Sequence, residues 1–253
     1  EWGIVMGTPF PTEVKAVDPS QGAMAVEGPW YNNSERIIRN NRYYLENKPH
    51  YLDAPGEFWF DKRGKGGRLY VRLPGDRDPN EVVMEAASRI NLVDSSGISH
   101  FEVSGLTFEF TNVYWDLGAR TFIHKDVDGA AVRVLGSGQN IRVSNCTFRH
   151  VNKAVRIKAA GDNDRITDVL ISDNLIEHTD HGAIDVADSS RWGKKDPPFG
   201  ELDRVKILRN KLYRIGLRPI RSGHGHAITV NFPHTAEVAG NVLDRCYGAG
   251  LFL

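Results

Sequence analysis

The sequence has little cysteine, no charge imbalance and no long apolar run. Two cysteines in 253 residues, Cys146 and Cys246, cannot build the disulfide framework of a small secreted scaffold. Lysine plus arginine equals aspartate plus glutamate, at 32 each, so the basic face that nucleic-acid binding requires is not expected. No apolar stretch approaches the roughly 20 residues of a membrane-spanning helix. We therefore expect no nucleic-acid partner and no membrane insertion. The composition leaves the oligomeric state open.

A six-residue pattern repeats five times from residue 103 onwards. It consists of an aliphatic residue, two variable residues, a small or amide residue, one variable residue and an apolar residue. The copies are Val103–Phe108, Val143–Phe148, Ile171–Ile176, Ile207–Leu212 and Val238–Leu243, at steps of 40, 28, 36 and 31 residues. Such repeats indicate a solenoid, in which each unit buries its apolar face against its neighbours.

A second short apolar strand follows each of these hexads. The five strands are Val132–Val134, Val155–Ile157, Ile184–Val186, Ile228–Val230 and Leu251–Leu253. The shortest spacing between them is 23 residues, which suits a coil of three short strands better than a helical hairpin or a propeller blade. In each strand, apolar residues flank one variable residue, so the centre is expected to point outward. The sequence thus predicts an all-β chain folded as a parallel β-helix.

The amide position of the hexad forms a column of its own. Asn174, Asn210 and Asn241 occupy it in successive coils, after Leu106 and Cys146. Amide side chains stacked at one turn can hydrogen-bond along the axis of a stack. We therefore interpret the column as scaffold rather than as a set of ligand contacts. Cys146 is expected to be a buried thiol.

The beginning of the chain lacks the repeat. Residues 1–92 contain aromatic strand-like pieces, Glu57–Phe60 and Arg68–Val71, around a glycine-rich hairpin turn. This β-rich region is expected to cap the N-terminal end of the solenoid, residues 93–253. Because the chain stops at Leu253 inside a core strand, we expect further coils or a cap beyond it.

Alignment of the second strands gathers polar side chains into rows. The central outward row is Arg133, Arg156, Asp185, Thr229 and Phe252. The row two residues later contains Lys158 and Asn231, and the row two residues earlier contains Ala131, Ala154, Ala183 and Ala227. Small side chains beside charged ones predict a shallow trough with polar walls, which suits an extended saccharide.

The turns beside these strands add further titratable groups. They are Asp180, His181, His224, His226, Tyr247 and, after the Asp185 strand, Asp188. Such a gathering of titratable groups in a cleft is typical of a functional site. No scaffold for metal coordination accompanies the histidines, so we expect no metal and no cofactor.

Other interpretations of these residues stay open. Asp185 and Arg156 are equally suited to a cross-coil surface salt bridge with little effect on stability. His181 and His226 are also suited to turns in which they bond to backbone carbonyls. Asp185 has no carboxylate at the equivalent position of either neighbouring coil, so its catalytic partner is sought on a flanking turn or beyond Leu253.

Short motifs near the beginning of the chain connect it to known enzymes. They are Tyr44–Asn47, then Tyr51–Asp61 with the run Leu-Asp-Ala-Pro-Gly-Glu-Phe-Trp, then Gly67–Tyr70 and Pro74. With these motifs the chain resembles bacterial right-handed parallel β-helix carbohydrate-active enzymes of the xylosidase and fucosidase type. The likeness continues through Ser104–Phe108 and Gly240–Leu251. It implies a right-handed β-helix and a secreted or periplasmic glycoside hydrolase with a polysaccharide or oligosaccharide substrate.

Three functional hypotheses follow. A glycoside hydrolase would use Asp185 as nucleophile or base and Asp180 or Asp188 as acid. Arg156, Lys158, Asn231 and Tyr247 would then hold the sugar, with His181 and His226 beside them. A polysaccharide lyase or uronate epimerase would neutralise the uronate with Arg156 or Lys158, and His224, His226 or Tyr247 would move the C5 proton. The third hypothesis is a non-catalytic glycan-binding or structural solenoid.

Overall fold

The computed structural model describes residues 13–26, 45–113, 128–190, 197–217 and 225–253. The chain divides into two compact units. The smaller unit spans Glu35–Ala86, and the larger combines Glu1–Ser34 with Ala87–Leu253. Among its described residues, the smaller unit has short 3-10 segments at Pro49–Tyr51, Pro74–Asp76 and Pro79–Glu81. Across the described ranges, no helix has the length and hydrophobicity needed to span a membrane.

In the described part of the chain, two antiparallel hairpins lie outside the parallel sheets. In the larger unit, β1 (Val14–Asp18) pairs with β2 (Ala23–Val26). In the smaller unit, β3 (Phe58–Asp61) pairs with β4 (Arg68–Val71), which confirms the predicted aromatic hairpin. The capping role of residues 1–92 stays a prediction.

The rest of the larger unit is built from three parallel sheets. Sheet 1 contains β5 (Val93–Ser96), β8 (Val132–Leu135), β11 (Val155–Lys158), β14 (Ile184–Ala187), β17 (Ile228–Asn231) and β20 (Leu251–Phe252). Sheet 2 contains β6 (Phe101–Ser104), β9 (Gly138–Ser144), β12 (Arg165–Ser172), β15 (Glu201–Leu208) and β18 (Ala236–Ala239). Sheet 3 contains β7 (Thr107–Glu109), β10 (Thr147–Arg149), β13 (Leu175–Thr179), β16 (Lys211–Ile215) and β19 (Val242–Cys246).

The order of these strands confirms an all-β chain with stacked parallel strands. Going along the chain, strands join sheets 1, 2 and 3 in turn, and each new strand pairs in parallel with the one from the preceding round. This arrangement is compatible with a β-helix solenoid. The first positions of the hexads pair directly with one another, as Val103 with Val143 and Val143 with Ile171. The register predicted from the hexads is therefore confirmed.

Alternation along the strands builds the core. Val155 and Ile157 of β11 are fully buried, as are Ile184 and Val186 of β14. β-Branched side chains pack well on a pleated surface, and full burial of one contributes about 1.5–3 kcal/mol. The core therefore runs along the stack, with each round of strands covering the apolar residues of the one before.

The asparagine column is an internal ladder at the turn between sheets 2 and 3. The Asn174 side-chain amide donates to Val143 O at 3.0 Å and to Asn210 Oδ1 at 2.9 Å. Asn210 repeats this one round later, donating to Ile171 O at 3.0 Å and Asn241 Oδ1 at 2.9 Å. Asn174 and Asn210 are almost fully buried. The predicted scaffold role of the column is confirmed.

Candidate active site

The row predicted on sheet 1 is in register in the structure. Arg133 pairs with Arg156, Arg156 with Asp185, Asp185 with Thr229, and Thr229 with Phe252. The row also begins one strand earlier than expected. Asp94 of β5 pairs with Arg133, whose guanidinium it binds through both carboxylate oxygens at 2.8 and 2.7 Å.

The centre of this row is buried, which differs from the expected exposed trough. Arg156 is 3% exposed and Asp185 is 9% exposed. The alanines expected beside them, Ala131, Ala154, Ala183 and Ala227, are fully buried members of the core. They precede the strands at Val132, Val155, Ile184 and Ile228, so the inward and outward alternation of the strand does not extend to them. The predicted cross-coil salt bridge between Arg156 and Asp185 is therefore present, but it is buried and not on the surface.

Five charged side chains form what we call the sheet 1 charge cluster: Asp128, Lys153, Arg156, Lys158 and Asp185. The Arg156 guanidinium lies between the two carboxylates. It donates through Nη1 to Asp185 Oδ1, and through Nε and Nη2 to Asp128 Oδ1 at 3.0 and 2.9 Å. Lys153 Nζ donates to Asp185 Oδ2 at 2.8 Å, and Lys158 Nζ lies 3.8 Å from Asp128 Oδ1. One guanidinium thus bridges two carboxylates, and each carboxylate also has an ammonium group beside it.

Lys153 lies one round before Asp185 in the stack, and its side chain adjoins Gly182 of the Asp185 round. Lys153 is only 1% exposed, and its Cε lies 3.9 Å from where a Cβ on Gly182 would stand. Such a Cβ would also lie 2.7 Å from His226 O, so a larger residue would not fit. Burial lowers the pKa of Lys153, against the pull of the Asp185 carboxylate.

The electrostatic environment of Asp185 favours its ionised form. Burial acts to raise the pKa of this carboxyl group, but the charges of Arg156 and Lys153 outweigh it and hold the pKa well below its usual range. His181, itself 3% exposed, adds a smaller effect of the same sign. Asp185 is therefore a permanent carboxylate at neutral pH. It fits the roles of nucleophile or base and does not fit that of a general acid.

The predicted acids lie on flanking turns. Asp188 is buried, and its Oδ1 accepts hydrogen bonds from the Ser190 backbone N–H at 3.0 Å and the Ser190 hydroxyl at 2.5 Å. Asp180 is half-buried, and its backbone N–H donates to Val151 O at 3.0 Å.

The turn residues converge around Gly216. A Cβ on Gly216 would lie 3.0 Å from His181 O and 3.3 Å from Tyr247 Cβ, and its φ of +78° also favours glycine. The Tyr247 backbone N–H donates to Ile215 O at 2.8 Å. The Gly216 backbone N–H donates to Thr179 O, the carbonyl just before Asp180. Along the stack, Gly216 therefore lies between the turn with Asp180 and the turn with Tyr247. His224, predicted for that column, lies outside the described residues.

The remaining predicted contacts lie further along sheet 1. Asn231 pairs with Ala187, the neighbour of Lys158 on β14. His226 Nδ1 accepts a hydrogen bond from the Ala249 backbone N–H at 3.0 Å, and its ring stacks on Phe252 at a centroid distance of 4.6 Å. Tyr247 is 57% exposed. This end of the row is therefore aromatic and more open than the charge cluster.

Sequence reasoning missed two members of the charge cluster, Lys153 and Asp128, and one residue of the sheet 1 row outside it, Asp94. Asp94 shows the same pattern as the later strands, as Val93-Asp94-Ser95, and extended alignment would have found it. Lys153 is one residue before the small alanine of its round, a position with no repeat pattern. Asp128 follows the insertion between β7 and β8, where no register applies, so no sequence signal identifies it.

In the part of the chain that the structure describes, no group of three or more metal-ligating side chains is close enough together to hold an ion. The charge cluster consists of alternating anions and cations, which pair with one another. Comparison with known proteins adds no relative: no protein-family model, no curated protein and no solved structure matches the chain.

Proposed function

We propose that this protein is a glycoside hydrolase whose active site is the sheet 1 charge cluster and the turns beside it. The parallel sheets are proposed to close into a right-handed β-helix, because crossover connections between parallel strands of one sheet are right-handed in about 98% of cases. The motif resemblance of residues 44–74 supports a carbohydrate substrate and a secreted or periplasmic location.

The observation that carries the proposal is the Asp185 carboxylate, which Arg156 and Lys153 hold in its ionised form on sheet 1. Glycoside hydrolases need two carboxyl groups around the scissile bond. The side chains of Asp128 and Asp185 are 15% and 12% exposed, so part of each reaches the surface. Replacement of a buried ion pair by well-packed apolar residues is often neutral or stabilising, so stability is a weak reason for the presence of this one.

In this proposal Asp185 acts as nucleophile or base, and Asp180 or Asp188 is the acid. Arg156, Lys158, Asn231 and Tyr247 hold sugar hydroxyl or carboxylate groups, and His181 and His226 lie beside them. The aromatic end of the row at Tyr247 and Phe252 supports an adjoining sugar subsite, since aromatic rings present large apolar faces with a polar edge.

The test is turnover of a panel of aryl glycosides and plant, algal and host glycans by the purified chain. Asp185→Asn alone leaves Lys153 without its anion, so it is compared with the double variant Lys153→Met plus Asp185→Asn, which removes the pair together. We expect wild-type release of reducing ends and loss of it in the folded double variant. Unchanged turnover in that variant would remove Asp185 from the mechanism.

A lyase or uronate epimerase is the second candidate. The observation that favours it is the charge of the cluster, in which three cations, Lys153, Arg156 and Lys158, outnumber two carboxylates. The excess positive charge suits a substrate carboxylate. Absorbance growth near 235 nm on uronate polymers identifies a lyase, because elimination creates an unsaturated uronate; reducing-end release without it identifies a hydrolase. Epimerisation changes the sugar configuration without either signal.

A non-catalytic glycan-binding or structural solenoid is the third candidate. The observation that favours it is that Lys153 and Arg156 bind both oxygens of Asp185, so this carboxylate already has its partners within the protein. In that case the folded double variant would match the wild type in every glycan assay. Glycan-array binding by both proteins, without turnover by either, would support this candidate.

A further inference from the structure

The two carboxylates that flank Arg156 are held in different ways. Asp185 is engaged at both oxygens, Oδ1 by Arg156 Nη1 and Oδ2 by Lys153 Nζ at 2.8 Å. Asp128 is engaged at one oxygen: Oδ1 takes both Arg156 contacts, at 3.0 and 2.9 Å, and is the atom nearest to Lys158 Nζ. Within the described residues, nothing hydrogen-bonds to Asp128 Oδ2.

This asymmetry matters for proton transfer. A carboxylate accepts a proton through an oxygen lone pair that reaches the donor, and both Asp185 oxygens already accept from cations. Protonation of Asp185 would leave the buried Lys153 ammonium without its anion and Arg156 with Asp128 alone, which is costly. Asp128 can accept a proton at Oδ2 while Arg156 remains bonded to Oδ1. Its side chain is also slightly more exposed, at 15% against 12% for Asp185.

We infer that Asp128 is the proton-accepting carboxylate of this site. Lys153 binds Asp185, Asp185 binds the Arg156 guanidinium, and Arg156 in turn positions Asp128. The inference rests on the proposed hydrolase, and there it gives Asp128 the role of base in place of Asp185. Asp185 then becomes a positioning residue, which acts through Arg156.

The reaction step is attack by water. The water O–H bond breaks and its proton passes to Asp128 Oδ2, while the water oxygen forms a bond to the anomeric carbon. The bond from that carbon to the leaving oxygen breaks, and the leaving oxygen takes a proton from the acid, Asp180 or Asp188 in the proposed function. General base catalysis of this kind contributes about 10²–10⁴-fold to the rate.

The first experiment compares Asp128→Asn with Asp94→Asn on a glycoside that the wild type hydrolyses. Asp94 is a matched control, because it also binds an arginine of the next strand on sheet 1 but lies outside the charge cluster. We expect Asp128→Asn to lose about 10²–10⁴-fold in kcat. Asp94→Asn should remain within about twofold, as expected for a variant that keeps the base. Retained turnover in folded Asp128→Asn overturns the inference.

Chemical rescue separates a base from a structural carboxylate. Asp128→Gly leaves space beside Arg156, and added formate or azide should restore part of its turnover by replacing the missing anion. Asp185→Gly should show no such rescue, because the residue acts through Arg156 and Lys153. Rescue of Asp185→Gly with none for Asp128→Gly reverses the assignment of the two roles.

A readout without turnover distinguishes failure of the inference from failure of the hydrolase. A water-soluble carbodiimide with glycine ethyl ester should label Asp128 ahead of Asp185 in the native protein, as followed by peptide mass spectrometry, with Asp94 as the exposed reference. Labelling of Asp185 ahead of Asp128 overturns the assignment even in an active enzyme. Absence of wild-type turnover on every glycan removes the hydrolase, and the base role with it, whatever the labelling shows.

Discussion

The asparagine ladder and the sheet 1 charge cluster are both rows of polar side chains that run along the same stack, yet they are built in opposite ways. Each ladder rung repeats one residue type and one set of bonds, as Asn174 and Asn210 do. The cluster mixes anions and cations, and includes Asp128 from outside the repeat. A repeated polar group satisfies itself by stacking. A set of unlike charges satisfies its hydrogen bonds only when all its members are present. Because it also gathers titratable groups in one place, the cluster and not the ladder is the candidate site.

The largest expected effect comes from breaking the cluster at its buried ion pair. Asp185→Asn should lower the free energy of unfolding by about 3–5 kcal/mol, because it leaves Lys153 as a buried charge without its anion. Lys153→Met should lower it by less, because Arg156 still pairs with Asp185. The double variant should lose less than the sum of the two. Urea unfolding of all four proteins gives the coupling energy directly. Additive losses would show that Lys153 and Asp185 are not coupled. They would contradict the view that the cluster, unlike the ladder, is stable only as a group.

The ladder should respond according to position, since its rungs are equivalent in sequence but not in burial. Asn210→Ala removes bonds to Ile171 O and Asn241 Oδ1 and leaves buried groups unsatisfied, at a cost of about 1–3 kcal/mol for each such group. Asn241→Ala, at a partly buried rung, should cost less. The measurement is the urea midpoint at constant m-value. Equal losses at both rungs would argue against burial as the cause.

These two rows also show how far a sequence can predict a structure of this kind. The hexads predict the register, and with it the ladder at Asn174 and Asn210 and the alignment of Arg156 with Asp185, because stacked strands repeat the same position in every round. Burial of that pair was not predicted. Lys153 lies at a position with no repeat pattern, and Asp128 comes from an insertion with no repeat. Long-range packing of this kind has no local sequence signal.

A smaller and pH-dependent effect should separate the cluster from the ladder, which has no titratable group. The pKa of Asp185 is depressed in the folded protein, so its contribution to stability is complete above the unfolded value of about 3.9 and is lost as the pH falls below that value. Between pH 5 and pH 2, the wild type should therefore lose more stability than Lys153→Met plus Asp185→Asn. Asn210→Ala should run parallel to the wild type. Parallel curves for all three would exclude Asp185 as the source.

The smallest effect is expected for charges that lie beside the ladder on the surface. Arg209 binds Asp173 through Nε and Nη2, at 2.7 Å each, and these residues directly precede Asn210 and Asn174 in the chain. Both side chains remain well exposed, at 58% and 35%, so solvent and salt screen the pair. Arg209→Ala should leave the melting temperature almost unchanged, and added salt should abolish any remaining difference. A loss comparable to that of Asn210→Ala would show that the exposed pair supports the ladder. The contrast between buried cluster and surface pair would then fail, because geometry along the stack, rather than burial, would determine which charges matter.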